Sequence, residues 1–160
     1  MVAAAVTVRR SEASAEELLG SVKATMQSMI RRAHPALEAE GVSMGQFWAL
    51  HFVSSLGGAR ISAVARYLAV TSPTVCAKVD DLESAGLVVR RRSERDHRVV
   101  ELTLTPKGRK VEARLWEQIG ALFGSAAAGL APEDVAAATR VFRELRARLE
   151  EAPPHPEGNA

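Results

Sequence analysis

The stretch Gly86-Leu87-Val88-Val89-Arg90-Arg91-Arg92-Ser93-Glu94-Arg95-Asp96-His97-Arg98-Val99-Val100-Glu101-Leu102-Thr103-Leu104-Thr105-Pro106 decides the fold. Leu87-Val88-Val89-Arg90 reads as one short strand. Val100, Leu102 and Leu104, interleaved with Val99, Glu101 and Thr103, read as a second. Between the two, residues 90–98 hold five arginines against two acids. Such clustering makes a local positive field of the kind a phosphate backbone selects. A basic loop in isolation is commonly no more than solvated surface, so the neighbouring segments decide its meaning.

Two short helices precede it. Ile61, Val64, Ala65 and Leu68 recur at i, i+3, i+4 and i+7, with Ser62 expected as the cap. After Ala69-Val70-Thr71, Ser72 is expected to cap the second helix, with Pro73 at its first position, where a missing N–H costs nothing. Val75, Val79 and Leu82 form the inner face of that helix, and Gly86 closes it. Its outer face carries Thr74, Cys76, Ala77, Lys78 and Asp81. Two helices with a joint of about three residues, the second slim and polar outside, describe a helix-turn-helix. A hairpin directly after it is a wing. Residues 60–104 therefore read as a DNA-reading module.

Working outward, Leu18, Leu19, Val22, Met26, Met29, Ile30, Ala33 and Leu37 make an amphipathic helix from about Glu16, which Pro35 is expected to kink or end. Residues 1–11 show no period and are expected to be a disordered arm. Ser43 with Gln46 three residues on is a capping-box arrangement for a helix through Phe47, Trp48, Leu50, His51 and Val53, stopped by Gly57-Gly58. Thr105, with Pro106 next, caps a helix lined by Val111, Leu115, Ile119 and Leu122. In the last helix Val135, Ala138, Phe142, Leu145 and Leu149 step alternately by three and four, a heptad-like seam. Pro153, Pro154 and Pro156 end the order, and residues 152–160 are expected to be disordered. The fold class is mainly α with a small β-hairpin wing, in one domain over residues 1–160.

Composition narrows the function classes. The net charge of +2 does not by itself argue for nucleic acid; its clustering does. No run approaches the roughly 18 apolar residues of a membrane span, and Met1 to Val8, running straight into Arg9-Arg10, makes a poor secretory signal. One cysteine suits a reducing compartment. The expectation is a cytoplasmic protein without membrane attachment. His34, His51, His97 and His155 show no metal spacing, and no phosphate loop or serine elbow is present. No cofactor, metal or catalytic set is expected, and the chain does not read as an enzyme.

The run Asp96-His97-Arg98, the short strand after it and Leu104-Thr105-Pro106-Lys107-Gly108 resemble the wing and following helix start of the MarR family of bacterial and archaeal transcriptional regulators. Ser72-Pro73-Thr74-Val75, Leu82-Glu83-Ser84-Ala85-Gly86-Leu87-Val88 and Gln46-Phe47-Trp48-Ala49-Leu50 agree with it, so the resemblance spans about Leu18 to Leu149. It implies a homodimer with dimerisation helices at 12–40 and 105–151, a winged helix module at 43–104, a pseudo-palindromic double-stranded DNA target and, often, a small molecule that lowers DNA affinity. Two departures stand out. Ala69 occupies a joint position where the family usually has Gly, which costs roughly 1 kcal/mol if the backbone there is left-handed. His97 stands where Arg is common.

The expected DNA contacts follow from chemistry. Ser72, Pro73, Thr74 and Ala77 offer hydroxyls, free N–H groups and small apolar contact at a helix N-terminus, and Lys78 lies one turn on. Arg98 suits a minor-groove arginine oriented by Asp96, and Arg95 a phosphate or groove contact. Met29, His34, Phe47, Trp48, His51 and Tyr67 are the candidate lining of an effector pocket, though each of these residue types is more often simply core. Cys76 reads either as a redox switch on the recognition helix or as a small residue. Two alternatives stay open: a winged-helix adaptor that does not read DNA, and a constitutive DNA binder without effector.

Overall fold

The structure, a computed structural model, describes residues 2–92 and 100–151, with residues 2–14 and Ser72 described by their backbone alone. The elements run α1 (Val2–Ala39), α2 (Met44–Ser55), β1 (Ala59–Arg60), α3 (Ile61–Tyr67), α4 (Ser72–Ser84), β2 (Val88–Arg92), β3 (Val100–Leu104), α5 (Pro106–Ala127) and α6 (Pro132–Glu151). None of the described helices is long and apolar enough to cross a membrane. The chain divides into two compact units, residues 1–122 and 123–160.

In the first unit α1 carries helical backbone from Val2, within the stretch expected as an arm. The Ala3-Ala4-Ala5 run favours helix, and no Gly or Pro intervenes before Gly20. Pro35 does not end α1 either. Its missing N–H forfeits one ladder bond, but Ala33 and Leu37 on either side are 0% and 3% exposed, and their burial carries the helix through. The α2 capping box forms as expected: Gln46 N donates to Ser43 Oγ at 3.2 Å, and Ser43 N donates to Gln46 Oε1 at 2.7 Å.

The wing hairpin is part of a three-stranded antiparallel sheet of order β1-β3-β2. Strand β1, two residues long, pairs Ala59 with Leu102 and Arg60 with Glu101. It also displaces Ser62 from its expected capping role, because Arg60 ends the strand and becomes the N-cap of α3, without a side-chain cap bond. In β3 Leu102 and Leu104 face the core as the alternation required. The largest fully buried side chains, Phe47, Leu50, Leu82, Leu87, Leu102 and Leu115, come from α2, α4, the α4–β2 junction, β3 and α5, and close one core beneath the recognition surface.

The joint between α3 and α4 has the left-handed residue that the sequence raised as a condition. Ala69 has φ 52°. Ala69 N donates to Arg66 O at 3.2 Å and Val70 N to Ala65 O at 3.1 Å, the two-bond pattern that ends a helix with a left-handed residue. Glycine is the residue without a Cβ penalty there. Ala69→Gly is expected to gain about 0.5–1 kcal/mol, the relieved strain outweighing the extra unfolded-state freedom. A thermal melt should rise by roughly 1–4 °C; an unchanged or lower midpoint contradicts the strain.

In the second unit α6 stands as an amphipathic helix with no buried residue. Val135, Val141, Phe142 and Leu149 are 41%, 48%, 50% and 76% exposed. Its polar side is laced by the Arg148–Glu144 and Arg146–Glu150 pairs, at 2.7 and 3.8 Å.

Candidate nucleic-acid interface

Helix α4 is anchored by its inner face. Val75, Val79 and Leu82 are 0%, 1% and 2% exposed, which turns Pro73, Thr74 and Ala77 to solvent. The N-terminus differs by one residue from the sequence expectation. Thr71, in extended conformation, is the N-cap; Ser72 is the first helical residue and Pro73 the second. Val75 N donating to Thr71 O at 3.1 Å makes Thr71 the first carbonyl of the ladder. Pro73 still costs nothing there, since N–H groups of the first turn have no intrahelical partner. Thr71 and Thr74 join hydroxyls at 2.9 Å, so Thr74 is oriented at the helix start.

Lys78 is half-buried rather than free. Its Nζ lies 3.5 Å from where a Cβ on Gly45 would stand, at the first turn of α2. One turn further on, Gln46 Nε2 donates to Asp81 Oδ2 at 3.4 Å. The wing contacts Arg95, Asp96 and Arg98 lie in residues 93–99, outside the described residues. The hairpin base is described up to the Arg92–Val100 pair.

Sequence reasoning missed the residue that locks the wing base to the recognition helix. Arg90 Nη2 donates to Asp80 Oδ1 at 2.6 Å, Nη1 donates to Glu83 Oε2, and Arg90 N donates to Glu83 Oε1 at 3.2 Å. The hydrogen bond to Asp80 first, then Glu83, holds the guanidinium pKa above its ordinary value against the cost of burial. Arg90 thus belongs to the scaffold, whereas Arg91 and Arg92 are exposed. No local signal marks this clamp, because the acids lie seven and ten residues away on another element. A second miss is Glu112, buried with 9% of its surface exposed. His51 Nδ1 meets its Oε1 at 2.8 Å and Ser54 Oγ its Oε2 at 3.4 Å, joining α2 to α5. A charged residue on the Gly108–Leu115–Ile119 stripe was the available signal.

Among the described residues, the six candidate effector residues stand in different surroundings. Phe47 is fully buried core, and Trp48 packs at its edge, with ring centroids 5.1 Å apart. His51 stacks on Trp116 at 3.9 Å. Tyr67, 46% exposed, stacks instead on Phe52 at 4.3 Å. Met29 is half-buried on α1. His34, 4.0 Å from Glu38, lines a groove of about 410 Å³ with Ile30, Leu37, Val42 and Met44. The aromatic residues were needed for packing, which a sequence does not separate from lining.

Helices α3 and α4 joined by a tight left-handed turn, followed by a hairpin, define a winged helix-turn-helix protein. A model of the MarR family matches residues 40–99. The HTH-type transcriptional repressor MdtR of Bacillus subtilis (strain 168) is 27% identical over 99 residues, 59% of this chain; the match spans 64% of that relative, just under two thirds of its length. A MarR family protein from Bacillus stearothermophilus superposes with a TM-score of 0.76 at 22% identity, over 87% of this chain and 97% of that one. A MarR family transcriptional regulator from Silicibacter pomeroyi does so at 0.65 and 26% identity, over 81% and 86%. Residues 40–99 of this chain are therefore similar to the winged module of the MarR family.

Proposed function

We propose that the chain is a sequence-specific double-stranded-DNA-binding transcriptional regulator: a cytoplasmic homodimeric repressor on a pseudo-palindromic operator, released by a small molecule. The observation that carries the reading is the geometry of α4. Its apolar face is sunk in the core, its slim outer face is open at Pro73, Thr74 and Ala77, and Arg90 ties it to the base of the wing. A slim helix held rigidly beside a hairpin suits insertion into a major groove with an arm in the minor groove. The name of the relative MdtR, a repressor, supports the direction of regulation.

In this reading residues 43–104 read DNA, residues 12–40 and 105–151 dimerise, and Ser72, Pro73, Thr74, Ala77 and Lys78 meet base edges or phosphates. Arg98, oriented by Asp96, enters the minor groove, and Arg95 meets the backbone. The exposed apolar residues of α6 support the dimer, since a helix of this kind gains its stability by burying that face. In this reading the groove beside His34 takes the effector.

The test is Arg98→Ala. At fixed salt it is expected to weaken operator binding at least tenfold, the loss of about 1.4 kcal/mol or more, with the dimer intact. Wild-type affinity in the variant contradicts the wing assignment.

A further inference from the structure

The outer face of the sheet carries a row of charge that the recognition helix does not account for. Register sets Arg60 of β1 opposite Glu101 of β3, and Arg91 of β2 opposite the same Glu101 from the other side. Side chains alternate between faces, and Val88, Leu102 and Leu104 are buried. Arg60, Glu101 and Arg91 therefore share the outward face, with the arginine Cα atoms about 10 Å apart, two strand spacings. Arg60 and Arg91 are exposed and Glu101 is half-buried between them.

With Arg92 these residues line an open groove of about 600 Å³ whose small members, Gly57, Gly58, Ala59 and Ala63, leave it room. Three arginines against one glutamate give the groove as much net positive charge as the formal +2 of the whole chain. The row also lies at the end of the sheet from which residues 93–99 leave, next to the Arg92–Val100 pair. Metabolite sites are concave, mostly apolar and largely enclosed. This groove is open and charged, and it stands on a β platform that fixes the bases of its side chains. Planar guanidinium forks on such a platform match phosphate oxygens, and open ends suit a polymer that passes through.

We propose that the Arg60–Glu101–Arg91 row is a phosphate grip for DNA flanking the wing. Arg60 and Arg91 contact backbone phosphates. Glu101, set between the two arginines by strand register, limits sequence-independent binding by repelling phosphate. The proposal rests on the DNA-binding reading and extends the footprint to Arg60 and Arg91, to which that reading assigns no contact.

Phosphate contacts are counted by salt dependence. Binding of a labelled duplex of mixed sequence is followed by fluorescence anisotropy from about 50 to 200 mM salt. Two lost contacts per protomer in Arg60→Ala/Arg91→Ala are expected to lower the slope of log K against log salt by about 1.8, or about 3.6 for a dimer. Affinity at about 100 mM salt falls at least tenfold. Arg60→Lys/Arg91→Lys keeps most of the slope, because the charges remain. Glu101→Gln tightens binding severalfold, a change of sign that loss of folding cannot mimic. Wild-type slope and affinity in the double alanine variant, or no gain in Glu101→Gln, overturns the phosphate grip alone. Failure of the wild-type protein to bind the duplex at any salt overturns the DNA-binding reading and the grip with it.

Discussion

Gly108→Ala is expected to lower stability by about 3 kcal/mol, an overpacking cost at the upper end of the usual range. The melting midpoint should fall by roughly 6–12 °C for a chain of this size. A Cβ on Gly108 would overlap the backbone carbonyl of Leu87, with the rest of the Leu87 backbone close behind it. Backbone cannot rotate away as a long side chain can. Leu87 is 1% exposed, its N donates to Leu82 O at 2.8 Å, and its O accepts from Thr105 N at 3.0 Å. Thr105 completes the joint: its hydroxyl donates to Gly86 O at 2.7 Å and accepts from Gly108 N at 2.9 Å. The Leu104-Thr105-Pro106-Lys107-Gly108 run is thus an elbow that seats the start of α5 on the junction between recognition helix and wing. DNA affinity of the remaining folded fraction should fall as well, since the junction must shift. A thermal melt lowered by less than about 3 °C contradicts this packing account.

Phe142→Glu is the second large effect, and it tests the proposed dimer. Phe142 is 50% exposed on a helix with no buried residue. A central aromatic at an interface is worth about 2–4 kcal/mol on truncation, and two-fold symmetry makes every substitution count twice. The dimer dissociation constant should rise by roughly three to six powers of ten. Light scattering is expected to give the mass of one 17.2 kDa chain in place of two. DNA affinity should drop about a hundredfold or more, because linked half-sites raise the effective concentration of the second contact. An unchanged mass contradicts the role given to α6.

How much of this was legible depended on whether the signal was local. The Ser43–Gln46 capping box lies three residues apart, and it forms as read. The inner face Val75, Val79, Leu82 and the alternation Leu102, Leu104 followed from periods of 3.6 and 2, and burial agrees. Strand β1 is two residues long and too short to carry a period. The shift of the α4 cap from Ser72 to Thr71 turned on one backbone hydrogen bond between two residues of similar capping chemistry. Arg90 looked like its neighbours Arg91 and Arg92. Only the approach of Asp80 and Glu83 across the fold separates a scaffold arginine from two exposed ones. The aromatic residues of α2 had the composition of a pocket and the geometry of a core, and packing claimed Phe47 first.

Selection of duplexes from a random pool by the full chain tests the central claim most directly. The account predicts enrichment of a pseudo-palindrome whose half-site centres lie about 10 bp, or a multiple of it, apart, as two α4 helices related by a two-fold axis require. Recovery of no common sequence, with the protein folded and dimeric, would contradict it.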